Sequence, residues 1–509
     1  MTFRFAATPL DAPLTEPPVR GVGFDSALEP AFLPSAARDA ALARLREPGA
    51  LAVTSGQQPG LFTGPLYTVH KALSTAALAR VLERRWGRTV VPIFWIAGDD
   101  HDFAEASEAS WLTAEGTLAT FKLPPRPADA PLTPMYRQPL GETVAEALQA
   151  LEATLPASEF REETLAWLAR QYRPEATVAA AFGGAMAELL APAGVVCFDS
   201  SHPTVKAAGA PLILRALELA GQIDDDLERQ VEALGDAART SGVVLGDGAA
   251  LVMLEGRQGR DRLVAADGAF VTRRGKERYD LAALRRIAET EPTRLSPNVL
   301  LRPVIESALL PTVAYLGGPA ELRYLALTPP ISRRLGVEPQ RPLPRWSGVL
   351  VEPRVDRILD KFGIDLQELL APPGTLESRL VRSQLPPDAL AALESIRSAV
   401  ESGYEALERS AAEVDPTLVR PVQSARHQAL SGTQEVEKKL VHHLKRRQET
   451  ELNQIAKARA AVFPGGKPQE RVLTVAPFLA RYGPALITDL ADAIETWYAG
   501  ALEGAAARS

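Results

Sequence analysis

Hydrophobic and polar positions change their period along the chain, and the changes mark out its regions. Leu51-Ala52-Val53-Thr54 is a short apolar run that stops at Gly56. After Gly64-Pro65, Tyr67 to Arg85 repeats apolar residues at helical spacing, and Val90 to Ala97 is a continuous apolar run ended by Gly98-Asp99. Apolar runs too short for a good helix, on either side of an amphipathic stretch, predict a strand-helix-strand unit. The runs do not alternate, so both faces of each strand need cover, as in a parallel sheet packed between helices. The same pattern returns as a helix over 178–190, a strand at Val195 to Phe198 and a helix over 207–219. Further strands are predicted at Val299 to Pro303 and at Pro311 to Tyr315, the second reaching Gly317-Gly318 and feeding a helix from Pro319. Stretches near 111–176 and 223–290 hold shorter alternating segments and turn signals such as Asp267-Gly268, and read as insertions into one doubly wound α/β sheet.

From Asp388 a different pattern takes over. Leu393, Ile396, Val400, Leu407, Ala411 and Val414 form one helical stripe, and Asp415-Pro416 interrupts it. A second stripe, from Leu418 through Val436 and Leu440 to Val462, predicts one helix over 416–461 with weak points at Pro421 and Gly432. Such a hairpin outreaches a compact core and leaves an apolar stripe that needs a partner. The expected organisation is a core over 1–387, a helical hairpin over 388–463, and a segment over 464–509 packing back on the core.

Composition removes several classes of function. A single cysteine, Cys197, cannot form an internal disulfide, and its place in an apolar strand suggests core more than nucleophile. With 56 Lys and Arg against 63 Asp and Glu, the net charge of −7 offers no global field for nucleic acid or an anionic membrane. No stretch approaches the ~18 apolar residues of a membrane span, so the expectation is a soluble, cytoplasmic protein with neither kind of partner.

Ligands of open parallel sheets bind beyond the carboxyl ends of the strands, and three loops fall at that edge. In the first, Ser55-Gly56-Gln57-Gln58 leads through Thr63-Gly64 to Tyr67, His70 and Lys71. Glycines followed by a helix start suit a phosphate, while a plain strand-to-helix turn with His70 in the core explains the loop equally well. In the second, Asp99-Asp100-His101-Asp102 follows the most apolar strand, which ends in Trp95-Ile96-Ala97. Four ionisable residues there each need a partner or a ligand. The carboxylates suit an amine or ribose hydroxyls, His101 suits acid or base work, and an Asp N-cap is the structural alternative. The third is Gly317-Gly318-Pro319-Ala320-Glu321, where the helix dipole alone accounts for Glu321. No metal motif, Ser-His-Asp elbow or paired-cysteine spacing is present.

The segments SGQQPGLFTGPLYTVHKA, VVPIFWIAGDDHDFAE, LLRPVIESALLPTVAYLGGPAE and FPGGKPQERV, in this order, resemble the BshC family of bacillithiol biosynthesis over essentially the whole chain. The resemblance implies a Rossmann-like core akin to class I aminoacyl-tRNA synthetases, with connecting-peptide insertions and a coiled coil used for homodimerisation. It also implies a ligase joining L-cysteine to glucosaminyl malate, with ATP activating a carboxyl as an acyl-adenylate. Asp99, His101 and Asp102 would then be catalytic. Ser55, Gly56, Gln57, Gln58, Thr63, Gly64, Tyr67, His70, Lys71, Trp95, Asp100, Arg302, Gly317, Gly318 and Glu321 would bind substrate or nucleotide, with Arg302 serving the malate carboxylates or, equally well, a structural ion pair. The chain has no clear His-x-Gly-His signature and no Lys-Met-Ser-Lys-Ser loop. A coiled-coil scaffold, or a nucleotide-binding protein with a degenerate core, is the alternative.

Overall fold

A computed structural model describes residues 2–5, 10, 14–243, 246, 248–372 and 374–506. They fall into two compact units, one formed by 3–350 with 468–509 and the other centred on 351–467.

The first unit is built on a parallel sheet of β1 (Leu51–Gln57), β2 (Val90–Ile96), β3 (Val196–Asp199), β4 (Thr312–Gly317) and β5 (Arg341–Pro344). Its order is β5-β4-β1-β2-β3, so the chain works outward from β1 to β3 and then returns to the other side of β1. That return is a topological switch point, with β1 and β4 as its two walls. The unbroken apolar runs have the expected cause: every residue of β2 is buried. Helix α1 (Leu66–Trp86) covers one face, ending where Gly87 turns left-handed at φ 61° and donates its N–H to Glu83 O. Its outer side carries Arg80 and Arg84, which pair with Asp492 and Glu495 of the C-terminal helix Ala485–Ala506. On the other face Phe32, Leu42, Val91, Ile93, Trp95, Val196 and Phe198 pack together.

The region read as a second insertion forms a separate antiparallel sheet, in the order Arg278–Tyr279, Ala269–Thr272, Gly259–Ala266, Ala249–Gly256 and Leu295–Pro297. Helix α2 (Pro203–Glu218) packs on it through Ile213 and Leu217 against Val252, Leu254 and Leu263. The strand expected at 299–303 is instead the start of helix α3 (Arg302–Leu309). Asn298 decides this, because its side-chain carbonyl accepts from the N–H groups of Leu300 and Leu301 and turns the chain, while Pro303 sits in the first helical turn, where no N–H is needed.

In the second unit, helices Pro387–Val414 and Val419–Arg447 form a hairpin, with Glu437 accepting ion pairs from both Arg382 and Arg397. The single helix expected over 416–461 is interrupted at Gln448 and resumes as Glu449–Val462. Pro421 does not break it, since the third residue of a helix has no intrahelical N–H bond to lose. Among the described residues no helix is long and apolar enough to cross a membrane.

Candidate active site

The three loops converge at the carboxyl edge of the sheet. There a cavity of about 530 Å³ is lined by Gly56, Gln57, Gln58, Tyr67 and Lys71 from the first, Trp95, Asp99, Asp100 and His101 from the second, and Gly318 and Glu321 from the third. Arg302 also lines it, from the first residue of α3 rather than from a strand. Ser55, Thr63, Gly64, His70, Asp102 and Gly317 lie outside the lining.

The four ionisable residues of the second loop find four different partners. Asp99 is buried and accepts from Lys206 Nζ, which reaches in from α2 and also donates to Leu295 O at 3.0 Å. Asp100 Oδ1 accepts from the N–H groups of His101 and Asp102. His101 Nδ1 lies 3.2 Å from Arg260 Nη1. Asp102 caps the short turn Phe103–Ala106, accepting from Glu105 N at 3.3 Å. The N-cap alternative therefore describes Asp102. Burial, and after it the Arg260 charge, pushes the His101 imidazole below its ordinary value.

The first loop is mostly occupied by protein. Thr63 N–H donates to Tyr172 OH, Gly64 N–H to Leu61 O and Leu66 N–H to Leu473 O, so the turn before α1 keeps little for a phosphate. Gly56 serves close packing, since a Cβ there would meet Trp95 Cβ and O at 3.0 Å. Ser55 Oγ donates to Leu316 O at 2.6 Å and ties β1 to β4 across the switch point. His70 is fully buried on the core side of α1, its ring edge-on to Trp346 and its Nδ1 3.0 Å from Glu470.

Lys71 is buried too, and its ammonium is not free. It donates to Gly56 O and to Gln57 Oε1 at 3.0 Å, and it pairs with Glu321 at 2.8 Å. Glu321 also accepts from Gly318 N and Tyr315 OH, both at 2.8 Å. Burial alone would raise this carboxyl, but the Lys71 charge and the hydrogen bonds hold it below the usual range. The tight turn at Gly317, where a Cβ would approach Glu321 Cβ to 3.1 Å, belongs to the same device.

Residues 30–339 match the family model described as "Bacillithiol biosynthesis BshC, N-terminal Rossmann-like domain", and residues 348–498 match "Bacillithiol biosynthesis BshC, C-terminal coiled-coil domain". The chain belongs to the BshC family. Relatives named "Putative cysteine ligase BshC" include those of Solibacter usitatus, 31% identical over 457 residues (89% of this chain and 84% of that one), and Chlorobaculum tepidum, 31% over 481 residues (89% and 82%). The relative from Bacillus licheniformis, with the same name, is 25% identical over 463 residues (90% and 85%).

For this BshC-family chain, side chains from outside the three loops complete the cavity. Lys206, Arg260, Arg262, Arg345 and Arg471 join Lys71 and Arg302 as cations on its wall, against the carboxylates Asp99, Asp100, Glu105 and Glu321. Among the described residues, Arg260, Arg262 and Arg471 make no ion pair with a carboxylate, so the wall keeps positive charge for an anionic ligand. Among the described residues two of these carboxylates, Asp100 and Glu105, form no ion pair with a cationic side chain, and these suit an amine. Desolvation, ahead of repulsion from Asp102, raises the Glu105 carboxyl, and Tyr67 OH donates to it at 3.3 Å. Among the described residues no group of three or more His, Cys, Asp or Glu side chains is placed to hold a metal. Cys197 is buried in β3 with its thiol pushed up by burial, which makes it inert. The missed residues left some signal. Lys206 is a lone cation in the apolar sequence VKAAGAPLIL, and such a residue inside a helix face asks for a buried partner.

Proposed function

We propose that the chain is a cysteine ligase that forms the amide between the carboxyl of L-cysteine and the amine of glucosaminyl malate, the closing step of bacillithiol assembly, in the cytoplasm. The observation that carries this reading is the cavity at the switch point, where cations without a carboxylate partner face carboxylates without a cationic one. A substrate bearing malate carboxylates and an amino group calls for both. The name shared by the relatives supports the cysteine side of the reaction.

Amide formation from a free carboxylate needs activation, and ATP would supply it. The turn before α1 does not fit the phosphates, because its N–H groups already bond to Tyr172, Leu61 and Leu473. Two of the arginines do fit, and in this proposal Arg262 and Arg471 hold the anionic groups while Asp100 and Glu105 orient the amine. Purified protein given cysteine, glucosaminyl malate and ATP should form bacillithiol, detected by mass spectrometry. Product formed equally well without any nucleotide would remove ATP from the proposal, and no product under either condition would remove the ligase itself.

The hairpin is proposed to make the protein a homodimer. Ile396, Leu407, Val414, Val436 and Leu440 are exposed along it, more apolar surface than a solitary hairpin keeps in water.

A further inference from the structure

His101 and Arg260 come from different sheets, the first from the loop after β2 and the second from the antiparallel strand Gly259–Ala266. Arg260 is buried and held at every nitrogen. Its Nε donates to Ser296 Oγ at 2.8 Å, its Nη2 to Pro297 O at 2.7 Å, and its Nη1 faces His101 Nδ1 at 3.2 Å. A guanidinium has five N–H groups and no acceptor, so at this contact Nδ1 must be the acceptor. The proton of the neutral ring therefore sits on Nε2. Among the described residues Nε2 has no protein partner, and the ring lines the cavity.

We infer that Arg260 is a positioning residue that fixes His101 as the neutral Nε2–H tautomer, so that His101 meets a ligand oxygen as a hydrogen-bond donor and does not take up a proton. This rests on the ligase reading. There the oxygen is that of the carboxyl under attack, where negative charge grows as the C–N bond forms. The amine's proton passes to Asp100 or Glu105, the phosphate group that activated the carboxyl leaves with the C–O bond electrons, and His101 keeps its own proton. Protonation at Nδ1 would break the Arg260 contact and set two cations 3.2 Å apart. Arg126, whose Nη1 donates to His101 O at 3.3 Å, adds a further cation. Asp100 and Asp102 pull the other way, but burial and Arg260 outweigh them and hold the imidazole low.

The test is histidine side-chain ¹⁵N NMR on the full-length protein between pH 5.5 and 8, with His101 assigned by loss of its signal in His101→Gln. The expected wild-type result is an unprotonated Nδ1 and a protonated Nε2 across the whole range. Arg260→Met should raise the titration midpoint toward the ordinary value, with burial still holding it below, and mix the tautomers, and Arg260→Lys should raise it less. Should Arg260→Met fail to fold, Ser296→Ala removes one anchor and should shift the titration midpoint upward by a smaller amount. An ordinary midpoint in the wild type, or an unchanged tautomer in the variant that folds, overturns the inference. This readout needs no turnover, so the expected tautomer in a protein that forms no bacillithiol would count against the ligase reading alone.

Discussion

At the scale of single residues, the pairs around the cavity change what a substitution should do. Lys71 reads in the sequence as a long cation available to an anion, but in the fold it is buried as the countercharge of a partly buried Glu321. Removing Lys71 leaves Glu321 uncompensated where water reaches it only in part, so Lys71→Met should lower stability by less than the about 3–5 kcal/mol of a fully buried pair. Adding Glu321→Gln to it should recover part of that loss, and urea unfolding of the single and double variants checks both. Asp102 and His101 should separate cleanly. Asp102→Ala removes an N-cap and should lower stability by about 0.5–2 kcal/mol with turnover kept. His101→Gln should do the reverse, leaving the denaturation midpoint in place and cutting bacillithiol formation by about 10²- to 10³-fold, the usual worth of one donor at a developing oxyanion. Equal turnover in both variants would take His101 out of the chemistry.

At the scale of elements, one carboxylate gathers several of the ties that hold the chain after 467 to the sheet unit. Glu470 accepts two hydrogen bonds from the Arg345 guanidinium, at 2.7 and 2.9 Å, and one from Ser347 Oγ at 2.6 Å, with His70 on its other side. Burial opposes its charge, but the bonds from His70 and Arg345 win and hold the carboxyl far below the usual range. His70 is shifted down chiefly by burial, so it is neutral at pH 7 and donates its Nδ1–H, and Arg345 is the true countercharge. Both shifts have the same sign for stability. The unfolded chain binds the extra proton in each case, so stability is full above about pH 6.5, falls first as the unfolded His70 protonates, and falls again below about pH 4.3. Glu470→Gln should therefore be clearly less stable than wild type at pH 7, and the gap should narrow at pH 3. A gap independent of pH, in urea midpoints at the two values, would show that the charge of Glu470 contributes nothing.

At the scale of the whole molecule, the hairpin carries the prediction. Ile396 and Val436 are 51% and 53% exposed, so lysines there cost the monomer little packing. Light scattering should find a dimer for the wild type and a folded monomer for the double variant Ile396→Lys, Val436→Lys. An unchanged mass would place self-association elsewhere or nowhere. The sequence by itself determined four of the five strands of the sheet, β1 to β4, because burial on both faces forces unbroken apolar runs such as 90–97, but it gave no sign of β5. It also brought Asp99, Asp100 and His101 to the carboxyl edge, since chain order along a strand fixes which end a loop occupies. Local pattern misread 299–303, where one Asn side chain outweighs a run of apolar residues, and could not foresee the break at Gln448. Only the tertiary structure decided which charges meet. Lys206 lies 107 residues from Asp99 and Arg260 lies 159 from His101. Periodicity reports the face on which a side chain stands; the partner across the cavity depends on how a separate antiparallel sheet and α2 pack, which is a property of volumes and contacts distant in sequence.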